Sequence, residues 1–375
     1  MKGLERHPIV LAAGGTAGHF FPAEALAAAL IRRGRRVVLF TDARTRIAEG
    51  SVFAGEERVV IPGAGIAGRG IGRALGGILR LAAGVVVAWL RLRRLRPAAL
   101  VAFGGYPAVA PVLASRGLAP RFPVVLHEQN AVLGRANRFL ARFAQRLALS
   151  FAETARVPAK VAAVVTGNPV RPAIAACAET PYAPPAESGA IRLVVLGGSL
   201  GARVMSAVVP AALAALPPPL RARLALAQQC RPEDLPRVAA TYREAGIAAE
   251  CAPFFADVPG RLAGAHLVIA RAGASTLAEL AVIGRPAILV PLPGAIDDHQ
   301  SANARAFGAG AVAIAEPDFV PARLTTLLAT LLVDPTTLAA MAAAAKCAPA
   351  DAAERLADLT EAVRGRDARG AEVRA

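Results

Sequence analysis

An apolar run that ends in a glycine cluster and continues as a helix occurs twice in this 375-residue chain. Residues 8–13 lead into Gly14-Gly15-Thr16-Ala17-Gly18-His19, followed by apolar residues at helical spacing over 21–33. Residues 191–196 lead into Gly197-Gly198-Ser199-Leu200-Gly201 and a helix over 202–216. Strand, glycine turn and helix in that order open a parallel α/β sheet. Further short apolar runs extend each copy. In the first half they lie at 36–41, 58–61, 98–103, 124–127, 146–149 and 161–165. In the second they lie at 224–228, 248–252, 267–270, 287–290 and 311–314. A unit that recurs once, at a distance of a whole domain, is a pair of similar domains and not a solenoid. The expected fold is two doubly wound, Rossmann-like α/β domains facing a cleft, with ligands at the carboxyl ends of the strands. The boundaries read as 1–170, a linker at 171–190 carrying Pro172, Pro181, Pro184 and Pro185, a second domain at 191–345, and a helical segment with a polar tail at 346–375.

Mean hydropathy is +0.46 and 55% of residues are hydrophobic, which excludes disorder and raises the question of a membrane span. A spanning helix needs about 20 apolar residues. The longest run, 81–90, has ten and is closed by Arg80 and Arg91, and glycines and prolines interrupt 97–115. No signal-peptide pattern opens the chain, so the sequence predicts a cytoplasmic protein. The net charge of +16 is unevenly placed. Residues 1–180 hold 25 basic and nine acidic side chains, and 181–375 hold 18 of each. Between Arg58 and Ala152 there are fourteen arginines and one carboxylate, Glu128. Such a field favours a polyanion or an anionic membrane surface. Cys177, Cys230, Cys251 and Cys347 have no zinc or CxxC spacing and read as unpaired thiols.

Each glycine turn presents free backbone N–H groups at a helix N-terminus, which suits an anion. Neither has the G-x-G-x-x-G spacing of dinucleotide binders, although Asp42 stands where a ribose-binding acid would. His19 closes the first turn, at a position for a base or a phosphate partner. His127-Glu128-Gln129-Asn130 emerges from an apolar run, so Glu128 and Asn130 reach the ligand edge. Asn168-Pro169 marks a turn that brings Arg171 to the linker. Arg271-Ala272-Gly273-Ala274-Ser275-Thr276 is another strand-to-helix turn, and its spacing puts Glu279 on the first turn of the following helix, where a carboxylate meets a diol or complements the dipole. Asp297-Asp298-His299 pairs acids with an imidazole as cation sites do, but no further ligands at a defined spacing accompany it. Gln300 suits sugar hydroxyls. Over 66–96, Ile78, Leu79 and Trp89 alternate with Arg80 and its neighbours, a composition suited to an interfacial, non-spanning membrane contact.

Taken together, the residues at 14–19, Gly104-Gly105-Tyr106, 127–130, 167–171, 197–202, 271–279 and 298–304 resemble the MurG family, bacterial transferases that add N-acetylglucosamine to lipid I. The chain departs from the family at Ala17, where a glycine is usual, and at Gln228-Gln229-Cys230, where relatives often show His-Gln-x-Gly. The resemblance implies a B-type glycosyltransferase fold and an inverting reaction in peptidoglycan synthesis, with neither cofactor nor metal. It implies UDP-N-acetylglucosamine on the C-terminal domain and undecaprenyl-linked lipid I on the N-terminal one, at the cytoplasmic face of the cell inner membrane. By resemblance, Thr16, Ala17, Gly18 and Asn130 line the substrate site. Arg171 contacts the nucleotide and Ser199 the diphosphate. Phe255 meets uracil through its backbone, and Glu279 holds the ribose. Ala274, Ser275, Thr276, His299 and Gln300 line the sugar pocket, and Tyr106 lies on the acceptor side. His19 is the first candidate for general base and Glu128 the second. The implied partners are an anionic membrane surface and other cell-wall synthesis proteins, with no nucleic acid.

Three other readings stand beside this one: a related membrane transferase such as a diacylglycerol glucosyltransferase, a nucleotide-sugar epimerase, and a non-enzymatic basic adaptor. Paired glycine turns and Glu279 speak against the adaptor, since a charge-only binder needs neither.

Overall fold

The computed structural model describes residues 7–14, 16–62, 71–198 and 202–364. The chain divides into two compact units, residues 1–171 with 350–375, and residues 172–349.

Unit 1 alternates strands and helices as β1 (Ile9–Ala12), α1 (Ala17–Arg32), β2 (Val37–Thr41), β3 (Glu57–Val60), α2 (Ile71–Leu95), β4 (Ala99–Ala102), α3 (Gly105–Ser115), β5 (Val124–Glu128), α4 (Arg135–Leu140), β6 (Arg146–Leu149) and β7 (Ala163–Val165). The seven strands are parallel in the order β3-β2-β1-β4-β5-β6-β7. Strands buried on both faces carry apolar side chains continuously, as Ile9–Ala12 and Ala99–Ala102 do. One face packs Val10, Val38, Leu100 and Leu126 against α2 and α3, and the other packs Ile9, Leu11 and Leu39 against α1.

Unit 2 restarts the pattern with α5 (Pro172–Ala175), β8 (Ile191–Leu196), α6 (Arg203–Ala214), α7 (Pro218–Arg221), β9 (Leu224–Gln229), α8 (Leu235–Glu244), β10 (Ala248–Ala252), α9 (Val258–Gly264), β11 (Leu267–Ala270), α10 (Ala274–Ile283), β12 (Ala287–Leu289), α11 (His299–Phe307), β13 (Ala311–Ala313), α12 (Pro321–Leu331) and α13 (Pro335–Ala345). Its six parallel strands run β10-β9-β8-β11-β12-β13. The proline-rich stretch after Arg171 is held in this unit. The buried Arg285 guanidinium donates to the carbonyls of Thr180 (3.3 Å) and Pro181 (3.4 Å), and Lys346 donates to Ala178 (2.7 Å).

A last helix, α14 (Ala352–Arg364), belongs to unit 1, burying Leu356, Ala357 and Val363 in the α1 core. Its Glu354, Asp358 and Glu361 pair with Arg32, Arg33 and Arg35 at the carboxyl end of α1. Among the described residues no single helix is long and apolar enough to cross a membrane. Helices α12 and α13 reach that length only jointly, across a 98° bend, and both bury leucines in unit 2.

In each sheet the chain order reverses between two central neighbours, β1/β4 in unit 1 and β8/β11 in unit 2. Ligands of open α/β sheets bind beside the carboxyl ends of such strands.

Candidate active site

At the switch point of unit 1, two helix N-termini stand side by side, because β1 feeds α1 and its neighbour β4 feeds α3. The connections are tight. A side chain at Gly14 would put its Cβ 2.5 Å from Thr41 Oγ1 and 2.7 Å from Thr45 Oγ1. Gly104 and Gly105 adopt φ of +78° and +66°, a conformation open to glycine at little cost. A Cβ at Gly105 would lie 3.3 Å from His19 Cε1, so the missing side chain lets α3 begin against the imidazole.

His19 is not at the end of a loop, as the sequence predicts. Helix α1 starts at Ala17, which places His19 on its first turn with Gly18 before it. Proline favours the first helical position, yet Pro22 lies inside α1. Thr16 at the N-cap does not cap the helix with its side chain; its Oγ1 is 2.9 Å from His19 Nδ1.

The next strand, β5, delivers the polar quartet, all but Asn130 fully buried. Glu128 is 2% exposed and receives four N–H groups. Asn130 N and Nδ2 each donate to Oε1 at 3.0 Å, and Gly134 N (2.9 Å) and Asn137 Nδ2 (2.8 Å) donate to Oε2. That set satisfies both oxygens and pins the loop bearing Asn130. His127 Nε2 lies 3.1 Å from Gly167 O and Nδ1 lies 3.0 Å from Gln129 Nε2. Burial, opposed by the Gly167 carbonyl and Glu128, pushes the His127 imidazole down to about 4, so it is neutral near pH 7. The Arg171 guanidinium stacks 4.9 Å from the ring of Phe21 on α1. Tyr106 lies on the first turn of α3, and its buried hydroxyl has no hydrogen-bond partner among the described residues. Asp42 folds back on its own turn, accepting from Arg44 N and Thr45 N, which leaves no case for a dinucleotide ribose there.

Unit 2 repeats the arrangement at β8 and β11. Gly198 has φ +81° and precedes α6, capped by Ala202, while Gly273 caps α10. Ser199 lies outside the described residues. Helix α10 begins at Ala274, so Ser275 and Thr276 share its first turn. Glu279 falls on the second turn and not the first. Its side chain is buried, and so is Ser275 Oγ, which has no hydrogen-bond partner among the described residues. Helix α11 begins at His299. His299 Nδ1 meets Ile296 O at 2.8 Å, and Gln300 Oε1 accepts from Leu292 N at 3.0 Å. Phe255 is buried beyond β10, with the Arg261 guanidinium 4.2 Å over its ring. Among the described residues no three His, Cys, Asp or Glu side chains are grouped to hold a metal ion.

Two supporting residues escape sequence reasoning. Asn137, on α4, bridges Glu128 and the His127 carbonyl. Arg271 donates to the carbonyls of Val290 and Pro291 and pairs with Glu316, tying three carboxyl-edge loops together. Arg271 opens a motif visible in the sequence. Asn137 gives no signal, because only the tertiary packing of α4 against α3 and β5 makes it a neighbour of Glu128.

Away from this edge, Ile78, Leu79 and Arg80 are exposed on α2, and Trp89 is half-buried on the same helix.

Family models match both halves of the chain: the glycosyltransferase family 28 N-terminal domain over residues 9–149 and its C-terminal domain over 192–358. A Granulibacter bethesdensis protein named UDP-N-acetylglucosamine–N-acetylmuramyl-(pentapeptide) pyrophosphoryl-undecaprenol N-acetylglucosamine transferase is 60% identical, covering 95% of this chain and 94% of its own. One of the same name from Acidiphilium cryptum is 54% identical over 96% and 97%. The crystal structure of Acinetobacter baumannii MurG superposes with a TM-score of 0.76 at 29% identity, covering 95% of this chain and 99% of that one.

Proposed function

The chain belongs to glycosyltransferase family 28, with the B-type fold of two Rossmann-like units, and from that membership we propose that it transfers N-acetylglucosamine from UDP-N-acetylglucosamine to the muramyl 4-hydroxyl of lipid I, forming lipid II. One observation carries the reading beyond family likeness. Donor and acceptor each contain a diphosphate, and each unit has, at its switch point, two adjacent helix N-termini opened by glycine. Such ends stabilise phosphate oxygens through free N–H groups and the helix dipole.

In this reading unit 2 holds the donor. The diphosphate meets the N-termini of α6 and α10, Glu279 accepts from the ribose hydroxyls, and Ala274, Thr276, His299 and Gln300 line the sugar. Phe255 and Arg171 meet the nucleotide. The two N-termini stabilise the negative charge that grows on the departing UDP. Unit 1 holds the acceptor diphosphate at α1 and α3, with Tyr106 beside it.

His19 is the general base. In the tautomer that donates Nδ1–H to Thr16 Oγ1, 2.9 Å away, the Nε2 lone pair takes the proton of the attacking hydroxyl. Neutral His127 adds no second positive charge near it. Glu128 is the positioning residue, because its oxygens already serve four amide donors that fix Asn130. A single displacement at the anomeric carbon inverts its configuration.

The enzyme sits peripherally on the cytoplasmic face of the inner membrane, its α2 surface against anionic lipid. Exposed Ile78 and Leu79 among arginines support that contact. Incubation with radiolabelled UDP-N-acetylglucosamine and lipid I tests the activity. Label is expected in the lipid fraction. UDP release with no labelled lipid would reject transfer in favour of hydrolysis or epimerisation.

A further inference from the structure

The carboxyl edge of unit 2 carries two thiols that the proposed transfer does not use. Cys230 follows β9 directly, and Cys251 lies near the end of its parallel partner β10. Cys251 is the register partner of Gln228, and Cys230 stands two residues beyond Gln228, so all three side chains leave the sheet on one face. That face is the one covered by α6 and α8. Cys230 is in the core with Met205, Val238 and Tyr242, and Cys251 packs against that cluster. Cys230 Sγ lies 3.7 Å from the Gln228 carbonyl oxygen, back at the level of Cys251. Cys230 N donates to the carbonyl of Ala252, the chain neighbour of Cys251, at 3.0 Å. The two sulfurs meet in a thiol–thiol hydrogen bond. Their surroundings differ, since Cys230 is 2% exposed and Cys251 is half-buried. Donation from the Cys230 S–H, opposed by burial and Glu250, holds the Cys251 thiol below its ordinary range. The same contact, with burial, pushes Cys230 up. The outer sulfur is therefore the nucleophile, and the inner one keeps its proton.

We infer that Cys230 and Cys251 form a redox-active dithiol that closes to a disulfide with hydroperoxides and, once closed, weakens donor binding by unit 2. The second half rests on the reading above in which Phe255 meets the nucleotide. The Cys251 thiolate attacks one peroxide oxygen, the O–O bond breaks, and the released hydroxide is protonated to water. The sulfenic acid left on Cys251 is then attacked by the Cys230 sulfur. The S–S bond forms as the S–O bond breaks, and hydroxide leaves with the Cys230 proton as a second water. Two thiols lose two electrons in all, and one peroxide gains them. Closure has a structural consequence. In a regular ladder, one strand spacing and two residues of rise set the Cα atoms on a diagonal of roughly 8 Å. A disulfide spans about 4.4–6.8 Å. Closing it draws the segment after β9 toward the end of β10, and Phe255 is four residues beyond Cys251. A bond of this kind is transient in a reducing compartment, as a sensor requires.

The test uses the full-length protein with Cys177→Ser and Cys347→Ser, which leaves the pair as its only cysteines. After treatment with hydrogen peroxide and alkylation in denaturant, peptide mapping reads the sulfurs. Calorimetric titration of UDP-N-acetylglucosamine reads the site. Expected are a Cys230–Cys251 cross-link and a rise in donor Kd of about three- to tenfold, the worth of one hydrogen bond. Dithiothreitol should reverse both. Adding Cys230→Ser should stop the reaction at a Cys251 sulfenic acid, trapped by dimedone, with no cross-link. Adding Cys251→Ser should abolish the trapping and make donor affinity indifferent to peroxide. Two alkylated thiols after peroxide, or dimedone on Cys230 as readily as on Cys251, would overturn the dithiol. A cross-link with unchanged donor Kd would overturn its effect on binding. Untreated protein that binds no donor would instead reject the placing of the donor on unit 2, and the weakening with it, while the cross-link still decides the dithiol.

Discussion

The two units share a topology and differ in charge. Unit 1 has 30 basic and 14 acidic residues, a net charge of +16, and unit 2 has 13 of each. The fold therefore does not require the charge, and the surplus belongs to what unit 1 meets. Its distribution within unit 1 supports this. Acids of α14 engage arginines at the carboxyl end of α1, and the α2 to α4 surface keeps its arginines over exposed apolar side chains. Unit 2 is net neutral, and the proposed reading has it hold a soluble anion through backbone N–H groups at two helix ends. In the proposed reading the same supersecondary unit serves a soluble donor in one copy and a lipid-borne acceptor in the other.

That comparison can be broken at several points. The largest effect is expected from His19→Ala, which should lower turnover by roughly 10²–10⁴-fold while leaving the KM for UDP-N-acetylglucosamine near the wild-type value. Steady-state kinetics at saturating acceptor measures both, and near-normal turnover would remove His19 from the base role. Glu279→Ala should act on the other unit, raising the donor KM by about 10–100-fold, the range for hydrogen bonds to a charged group. An unchanged KM would take the ribose away from unit 2.

Glu128→Gln sharpens the division between chemistry and scaffolding. It turns one doubly accepting oxygen into a donor facing two N–H groups, which should cost about 1–3 kcal/mol of stability, read as a lower melting temperature. If Glu128 positions and does not accept the proton, the pH–rate profile keeps its acid limb. Loss of that limb without destabilisation would make it the base.

Each unit also buries a neutral histidine. His127 in unit 1 and His266 in unit 2 are both pushed down to about 4, chiefly by burial, with Arg192 also depressing His266. Both are neutral in either state above pH 6.5. Between about 6.5 and 4 the unfolded chain binds protons that the folded chain does not, so stability falls as pH falls through that window. Thermal melting from pH 7 to 4.5 should show the slope, and His127→Gln should reduce it. The smallest effect is expected from salt. Vesicle binding should weaken as ionic strength rises, and insensitivity would shift the contact to the apolar residues alone.

The strands and both glycine turns were legible because buried parallel strands read as short apolar runs, and a tight turn into a helix calls for glycine. Charge placement was legible too, since it needs only counting. The local register of the site was not. Apolar spacing is visible only from residue 21, whereas α1 starts at Ala17 and carries His19 on its first turn. Glu279 falls on the second turn because Gly273, and not a later residue, caps α10. Glu128 stood out as an isolated acid, but its amide donors come from residues two, six and nine positions on, brought together only by packing. The return of α14 to unit 1 had no sequence signal beyond its apolar face and acids, which suit many surfaces.

Calorimetric titration of UDP-N-acetylglucosamine into wild-type protein, His19→Ala and Glu279→Ala tests the division of labour most directly. The account predicts wild-type donor affinity for His19→Ala and a loss of about tenfold or more for Glu279→Ala. Loss of donor binding in His19→Ala with retention in Glu279→Ala would contradict it.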